Sequence, residues 1–327
     1  MANNIPRLRV VVSRNVFLLL VCFTLANSLN VQPIIGILTV PAEPQCITLA
    51  IEKGLNQHEV SCFHSYYVKW LESAGARVVP IRFNLAPAQL DPLLDSINGI
   101  LFTGGELTLF PNTTYYKTAN YIYKQVLERN SKQQYFPLWG TCMGFQLLNI
   151  LTAENYTVLS HSMFDSEGMS LPLELTSDGM TSRLLKSMPT SLLDILTKDN
   201  VTANLHHDGV LPSTFYSTSK LTQFYDVVST NVDRKGTPFV STIEGKSTPV
   251  YGTQWHPERP QFEWKEGEDF NHTMGAISTM QYFANFFVSE ARKNGNHFVN
   301  STSERDALIY NYAPTFMGDS SQIYHFV

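Results

Sequence analysis

The chain has 327 residues, of which 43% are hydrophobic and 16% are charged, and its formal net charge is −5 at pH 7. This composition is typical of a globular protein with a sizeable core, and it excludes a predominantly disordered chain. Because the net charge is negative and Lys and Arg form no basic run, nucleic acid is not expected as a partner.

The first 28 residues have the layout of a secretory signal peptide. Three arginines precede an apolar run at 16–25, and small residues surround position 27. A transmembrane anchor is the alternative, but this run is shorter than the ~20 apolar residues that a spanning helix needs. We therefore expect a mature chain of residues 29–327 in the secretory pathway, in a lysosome or vacuole or outside the cell.

Segments typical of strands and helices alternate after residue 31. The predicted strands are Ile34–Leu38, Arg77–Ile81, Gly99–Phe102 and Phe136–Trp139, and the predicted helices are Ser65–Ala74, Leu90–Ile97, Tyr115–Glu128 and Phe145–Leu151. Repeated strand–helix units predict an α/β fold, with a mostly parallel central sheet and helices on both faces. The carboxyl ends of parallel strands then lie along one edge, where ligand sites collect.

The second half of the chain is less periodic. Pro238–Ile243 and Val250–Thr253 are predicted to be antiparallel edge strands, and Ser278–Ala291 is predicted to be a terminal helix. The sequence contains no linker, internal repeat or low-complexity tract, so residues 29–327 are expected to form a single domain.

The segment Gly140-Thr141-Cys142-Met143-Gly144 joins a predicted strand directly to a predicted helix. Glycines on both sides of a central cysteine are typical of a nucleophile elbow, in which a cramped turn exposes the nucleophile. The amino terminus of the following helix is expected to lower the thiol pKa. The alternative is that Cys142 is only a small buried residue in a tight turn.

A second motif, Gln254-Trp255-His256-Pro257-Glu258, supplies a candidate base. Pro257 favours an extended conformation at His256, and side chains two positions apart in an extended chain point the same way. Glu258 can then accept a hydrogen bond from the His256 ring and stabilise the imidazolium. Without the elbow, a His-Pro-Glu tripeptide would indicate only a surface turn.

Attack of a thiolate on a carbonyl also requires donors for the developing oxyanion. One candidate is the backbone N–H of Met143, directly after the nucleophile, and the other is that of Gly105, in the Gly104-Gly105 pair that follows the predicted strand Gly99–Phe102. An ordinary tight turn is the alternative interpretation of this glycine pair.

Three cysteines follow the predicted signal peptide, so at least one is unpaired. Cys46 and Cys62 are close enough in sequence to bridge one loop, but two separate buried thiols are equally consistent with the spacing. Cys142 is left over in either case. Candidate glycan acceptors have the pattern Asn-x-Ser/Thr, and they are Asn112, Asn155, Asn200, Asn271 and Asn300.

Together, the Gly-x-Cys-x-Gly turn, the earlier Gly-Gly pair and the late Gln-Trp-His-Pro-Glu resemble the triad arrangement of class I glutamine amidotransferases. Flanking segments, among them 67–81, 97–102 and 285–292, resemble the γ-glutamyl hydrolase family, and the similarity runs from about Ile34 to the carboxyl terminus. The resemblance implies a flavodoxin-like fold of the class I glutamine amidotransferase type.

By this resemblance, Cys142 is the nucleophile, His256 the base and Glu258 the third member of the triad. The segment Ala203-Asn204-Leu205-His206 is similar to the one in which the family keeps a further histidine, so His206 is a candidate for binding the glutamate end of a substrate. Gly104 is a candidate for substrate contact as well, because the backbone of the Gly104-Gly105 pair can approach a ligand closely.

The sequence departs from the family pattern at two positions. Gln146 stands where glutamate is frequent in the family, and Thr103 replaces a more usual proline. Gln146 could alter how the first helix packs or how substrate carboxylates are read, so it is a candidate for substrate contact.

The implied activity is cysteine-dependent hydrolysis of γ-glutamyl bonds in folylpoly-γ-glutamates and related antifolates through a glutamyl thioester. The alternatives are an amidase of the same fold acting on small γ-glutamyl amides, and a catalytically silent scaffold that binds γ-glutamyl compounds. Arg82, Lys117 and Arg259 are candidate partners for substrate carboxylates. No cofactor is implied, and no metal site is expected, because His206 and its neighbours lack companion ligands at zinc spacing. The sequence leaves the oligomeric state open, a homodimer included.

Overall fold

A computed structural model describes residues 29–41, 43–52, 54, 56, 59–318 and 321–327 of the chain. The predicted signal peptide, residues 1–28, lies outside these described residues. In the described part of the chain, no helix is both long and apolar enough to cross a membrane.

The strands, in chain order, are β1 (Ile34–Leu38), β2 (Val40–Pro41), β3 (Ser61–His64), β4 (Arg77–Ile81), β5 (Gly99–Phe102), β6 (Leu138–Thr141), β7 (Met169–Leu171), β8 (Glu174–Leu175), β9 (Thr202–Asn204), β10 (Tyr225–Val232), β11 (Pro238–Gly245), β12 (Val250–Thr253), β13 (Thr315–Phe316) and β14 (Gln322–Phe326). The α-helices are α1 (Pro44–Glu52), α2 (Ser65–Ser73), α3 (Pro87–Leu94), α4 (Thr114–Ser131), α5 (Met143–Ala153), α6 (Thr190–Lys198), α7 (Pro212–Ser217), α8 (Ser219–Phe224), α9 (Arg259–Phe262), α10 (Met274–Ala291) and α11 (Ser301–Ala307).

The central sheet has eight strands in the order β4-β1-β5-β6-β12-β11-β10-β8. The first five are mutually parallel, and the remaining three continue the sheet antiparallel. Numbered along the chain, the parallel strands follow the order 2-1-3-4-5, which is that of flavodoxin-like folds. The structure therefore confirms the predicted α/β class and its mostly parallel sheet.

The prediction that Pro238–Ile243 and Val250–Thr253 are edge strands was wrong. β12 lies between β6 and β11, and β11 lies between β12 and β10. Because β10 and β8 extend the sheet beyond them, both strands are buried. The pairing of β12 is parallel with β6 and antiparallel with β11.

Helices cover both faces of this sheet, and the side chains of each strand alternate between the two resulting cores. Ile100 and Phe102 of β5 pack in the core beneath α3, α4 and α5. Leu101, between them, faces the opposite core, where Trp70 of α2 and Phe287 of α10 also pack. Burial on both faces explains the continuous apolar runs of the parallel strands.

A second, four-stranded sheet forms from distant parts of the chain, in the order β13-β14-β3-β2. β14, near the carboxyl terminus, pairs antiparallel with β3. A disulfide joins Cys46 of α1 to Cys62 of β3, with Cα atoms 6.0 Å apart. Covalent and hydrogen-bonded links therefore fasten α1 and the carboxyl-terminal strand to β3.

Local turn chemistry explains where several helices begin and end. α2 ends at Ser73 and is followed by Gly75 with φ 82°, as expected of a glycine that closes a helix. α3 lies at Pro87–Leu94 rather than the predicted Leu90–Ile97. Pro87 fits the first helical position because the missing N–H would have no intrahelical partner.

Candidate active site

Cys142 lies at the junction of β6 and α5, with φ 52° and ψ −108°. A left-handed φ is costly for a residue with a Cβ, so the surrounding structure must hold it. A Cβ on Gly140 would lie 2.6 Å from the Gly144 carbonyl oxygen, and a Cβ on Gly144 would lie 2.2 Å from the Phe102 carbonyl oxygen. Only glycines fit beside this turn, which confirms the predicted elbow.

The thiol of Cys142 is buried, and it is the free cysteine among the described residues. Its Sγ lies 3.7 Å from the Leu205 carbonyl oxygen, to which it donates, and 3.7 Å from Nε2 of Gln254, from which it accepts. Burial raises the thiol pKa to about 12, although Arg259 and the N–H of Met143 act in the opposite direction. The helix terminus thus acts in the expected direction, but desolvation outweighs it, and the thiol pKa is raised rather than lowered.

His256 follows β12, and its backbone N–H donates to the Ala203 carbonyl oxygen at 2.8 Å. Its Nδ1 lies 2.6 Å from Oε1 of Glu258, and both side chains are buried. Glu258 has helical rather than extended dihedrals, at the start of α9, and still reaches the ring. Burial lowers the pKa of His256, while the Glu258 carboxylate acts to raise it. Burial therefore favours the neutral forms of both the thiol and the imidazole in the resting site.

The side chains of Cys142 and His256 line one cavity of about 480 Å³ at the carboxyl ends of the parallel strands. Gly104 lies against the two of them, since a Cβ there would be 2.9 Å from Cε1 of His256 and 3.4 Å from Cβ of Cys142. The Gly104 N–H donates to the hydroxyl of Tyr67 at 2.8 Å. Tyr67 belongs to α2, and no sequence motif marked it as a wall of this site.

The Gly105 N–H lies between two N–H groups that are already bonded. Gly104 donates to Tyr67, and Glu106 donates to Oε1 of Glu43 at 2.9 Å. For Gly105 itself no such bond is found in the part of the chain that the structure describes. Met143 is in the first turn of α5, where N–H groups have no intrahelical acceptor. The assignment of Gly105 and Met143 as oxyanion donors stays a prediction that this geometry allows.

His206 is buried in the same cavity, next to the strand β9. Its Nδ1 lies 3.0 Å from the Asp208 carbonyl oxygen. A carbonyl only accepts, so Nδ1 carries the hydrogen and Nε2 is an acceptor. Nε2 has no hydrogen-bond partner among the described residues. Burial lowers the pKa of His206 to about 3.

Gln146 also lines the cavity, but its amide is bonded within the protein. Nε2 donates to the Asp208 carbonyl oxygen at 2.9 Å and approaches Oε1 of Gln254 at 3.4 Å. The geometry therefore gives Gln146 a role in holding the loop of His206. The proposed contact with substrate carboxylates stays a prediction.

Of the three candidate cations, Arg259 lines the cavity within the described chain, and Arg82 and Lys117 do not. Arg82 instead binds the backbone oxygens of Val327 and Glu59. Nη1 of Arg259 lies 3.1 Å from a carboxylate oxygen of Glu263. Lys265, which the sequence did not single out, adds a second cationic side chain to the lining.

Two carboxyl groups of the lining have unusual proton affinities. Burial raises the pKa of Glu43 and that of Glu263 to about 7 in each case. Both therefore lose most of their negative charge in mildly acidic solution, which lowers the repulsion of an anionic ligand.

The described residues contain no group of three or more His, Cys, Asp or Glu side chains arranged to hold a metal ion. Among the candidate glycan acceptors, Asn112, Asn155, Asn200 and Asn300 are exposed. Asn271 is half-buried, and its Nδ2 donates to the Asn200 carbonyl oxygen at 3.0 Å.

Comparison with known proteins gives a consistent result. The sequence profile of the peptidase C26 family matches residues 33–258. γ-Glutamyl hydrolase B of Dictyostelium discoideum is 40% identical over 292 residues, which are 89% of this chain and 81% of that protein. The γ-glutamyl hydrolase of Homo sapiens is 39% identical over 89% of this chain and 87% of that protein, and that of Mus musculus is 42% identical over 78% and 79%.

Proposed function

Because this chain belongs to the peptidase C26 family, we propose that it hydrolyses γ-glutamyl bonds with Cys142 as the nucleophile. The observation that carries the proposal is the strained elbow, which presents Cys142 in the cavity that also holds the buried His256–Glu258 pair. The names of the curated relatives support γ-glutamyl compounds as substrates.

The resting protonation states suggest how the reaction begins. A neutral thiol is a poor nucleophile, so Sγ attacks the γ-carbonyl carbon as Nε2 of His256 removes the thiol proton. Glu258 stabilises the imidazolium that forms. The carbonyl electron pair moves onto oxygen, where the N–H groups of Gly105 and Met143 stabilise the oxyanion.

Collapse of this intermediate breaks the C–N bond. His256 returns its proton to the leaving nitrogen, which is the α-amino group of the next glutamate, and a glutamyl thioester remains on Cys142. A water molecule, deprotonated by His256, then attacks the thioester and releases the free γ-carboxylic acid. The thiolate that departs recovers a proton from His256.

The substrates of this proposal are folylpoly-γ-glutamates and the related antifolates. Such chains carry a carboxylate on each glutamate, and Arg259 and Lys265 offer positive charge within the lining. The neutral His206 supplies an acceptor for a substrate N–H, since its Nε2 has no partner in the part of the chain that the structure describes. Polyglutamate binding should also benefit from protonation of Glu43 and Glu263.

The test is incubation of residues 29–327 and of the Cys142→Ala variant with folate pentaglutamate at pH 5 and pH 7, with products read by mass spectrometry. Shortened chains from the unmodified protein alone are expected. When the reaction of the unmodified protein is quenched with acid, the mass of the protein should be increased by that of the glutamyl acyl group bound to Cys142. Intact pentaglutamate with both proteins would overturn this substrate assignment. If only small γ-glutamyl amides were cleaved, the result would favour the alternative of an amidase that acts on such amides.

We also propose that the protein enters the secretory pathway. The Cys46–Cys62 disulfide is of a kind that persists in oxidising compartments, and four candidate acceptor asparagines are exposed. Treatment of the protein from a eukaryotic host with an N-glycosidase should lower its apparent mass. An unchanged mass, together with free thiols at Cys46 and Cys62, would contradict this location.

A further inference from the structure

Gln254 is fully buried between β12 and His256, and the mechanism above does not use it. Its backbone N–H donates to the Ser241 carbonyl oxygen at 2.8 Å, and this bond fixes the backbone from which the side chain extends. The amide Nε2 then lies 3.7 Å from Sγ of Cys142. A buried amide is thus in contact with the reacting sulfur.

The direction of this contact follows from its neighbours. The Asp208 carbonyl can only accept, so the group of Gln146 that lies 2.9 Å from it must be the donating Nε2. The same Nε2 approaches Gln254 at 3.4 Å, which requires Oε1 of Gln254 on that side. The NH₂ group of Gln254 consequently faces Sγ as a donor.

Leu205 and Gln254, which contact the sulfur in addition to the Met143 N–H, suit different protonation states. The Leu205 carbonyl oxygen, 3.7 Å away, accepts from the thiol S–H. Once His256 removes that proton, this carbonyl has nothing to accept and its dipole opposes the negative sulfur. The Gln254 amide bonds better to a thiolate than to a thiol, because a charged acceptor strengthens the bond.

We propose that Gln254 is a further catalytic residue, whose side-chain amide stabilises the Cys142 thiolate while Gln146 acts as the positioning residue that orients it. The inference deepens the proposed function and rests on it only for the identity of the reaction. The amide supplies a hydrogen bond that becomes strong when charge develops on sulfur, which is the requirement for lowering a barrier.

The experiment measures the rate of Cys142 alkylation by iodoacetamide from pH 5 to 10, in the full mature chain. Gln254→Met keeps the length of the side chain and removes the donor. We expect its alkylation rate to fall about 10- to 100-fold at each pH below the thiol pKa, as for loss of one hydrogen bond to a charged group. kcat for γ-glutamyl hydrolysis should fall by a similar factor with little change in KM.

Gln261→Met is the matched control. Gln261 is half-buried and its Nε2 donates to Oε1 of Gln281 at 2.9 Å, so the control loses a comparable amide without touching sulfur. Its alkylation rate should equal that of the unmodified protein. An unchanged rate in Gln254→Met would overturn the proposal, and so would an equal fall in both variants.

Gln254→Glu gives a second measurement if the methionine variant misfolds. It retains the shape and the acceptor for Gln146, but an ionised carboxylate repels a thiolate. The alkylation defect should therefore grow as pH rises, and a defect independent of pH would contradict the proposal. Alkylation needs no substrate, so failure to cleave γ-glutamyl bonds would overturn the proposed function and leave this comparison interpretable.

Discussion

Two buried histidines line the same cavity and differ in the group that holds Nδ1. His256 donates to the Glu258 carboxylate at 2.6 Å, and His206 donates to the Asp208 carbonyl at 3.0 Å. Burial lowers the pKa of both rings. Only the carboxylate can offset a positive charge on its ring, so His256 is suited to take a proton briefly and His206 to remain a neutral acceptor.

Removal of His256 should have the largest effect. His256→Asn leaves no group to accept the thiol proton, so kcat should fall on the order of 10⁴-fold or more. Steady-state hydrolysis of a folate polyglutamate measures this. His297→Asn, which changes an exposed histidine outside the cavity, should retain full activity. A residual kcat within tenfold of the original would refute the assignment of His256 as base.

Glu258→Gln should make His256 resemble His206. An amide replaces the carboxylate, the imidazolium loses its stabilisation, and kcat should fall about 10²- to 10⁴-fold. Because the negative charge of Glu258 raises the pKa of His256, its loss should also lower that pKa. The acid limb of the kcat/KM profile therefore moves to lower pH in the variant, and a shift to higher pH would count against the comparison.

Two replacements of His206 distinguish the role of its Nδ1 from that of its Nε2. His206→Asn can keep the bond to the Asp208 carbonyl but loses the Nε2 acceptor, whereas His206→Gln can place an acceptor near the Nε2 position. We expect KM to rise about 10-fold in the asparagine variant, as for one lost hydrogen bond, and less in the glutamine variant. Equal KM values for both variants and the unmodified protein would show that Nε2 does not contact substrate.

His206 should also make stability depend on pH. The pKa of His206 in the folded protein is about 3, below the ordinary value of 6.5, so the unfolded chain binds a proton there more readily. The contribution of His206 to the free energy of unfolding is therefore fully present above pH 6.5 and is lost as the pH falls toward 3. Between pH 7 and pH 5 the loss is about 2 kcal/mol in the free energy of unfolding. Urea denaturation at both pH values should show a smaller loss in His206→Gln. An identical loss in both proteins would exclude His206 as the source.

The sequence predicted those parts of the site that lie within short segments. The elbow was visible because Gly140 and Gly144 flank Cys142, and the His256–Glu258 pair was visible because the two residues lie two positions apart. The strand and helix alternation likewise predicted four of the five parallel strands, but not β12, which was expected to be an antiparallel edge strand. Each of these features depends on neighbours within a few residues, so local pattern is sufficient.

Features that depend on distant contacts could not be predicted in this way. Tyr67 reaches Gly104 from another helix, and β14 pairs with β3 across most of the chain. The direction of the Cys142 pKa shift was mistaken for the same reason. The effect of a helix terminus on the thiol pKa can be inferred from a short segment of sequence. Desolvation depends on all the groups that cover the thiol, and these come from distant parts of the chain.

The high pKa of Cys142 has a consequence for the chemical survival of the protein. Because burial raises its pKa to about 12, the resting sulfur is predominantly a neutral thiol at pH 7. Peroxides and disulfides react with the thiolate, so the resting sulfur should resist sulfenic acid formation and exchange with the Cys46–Cys62 bond, although Cys62 lines the same cavity. A resting sulfur that is predominantly neutral would allow a free cysteine to persist among oxidants.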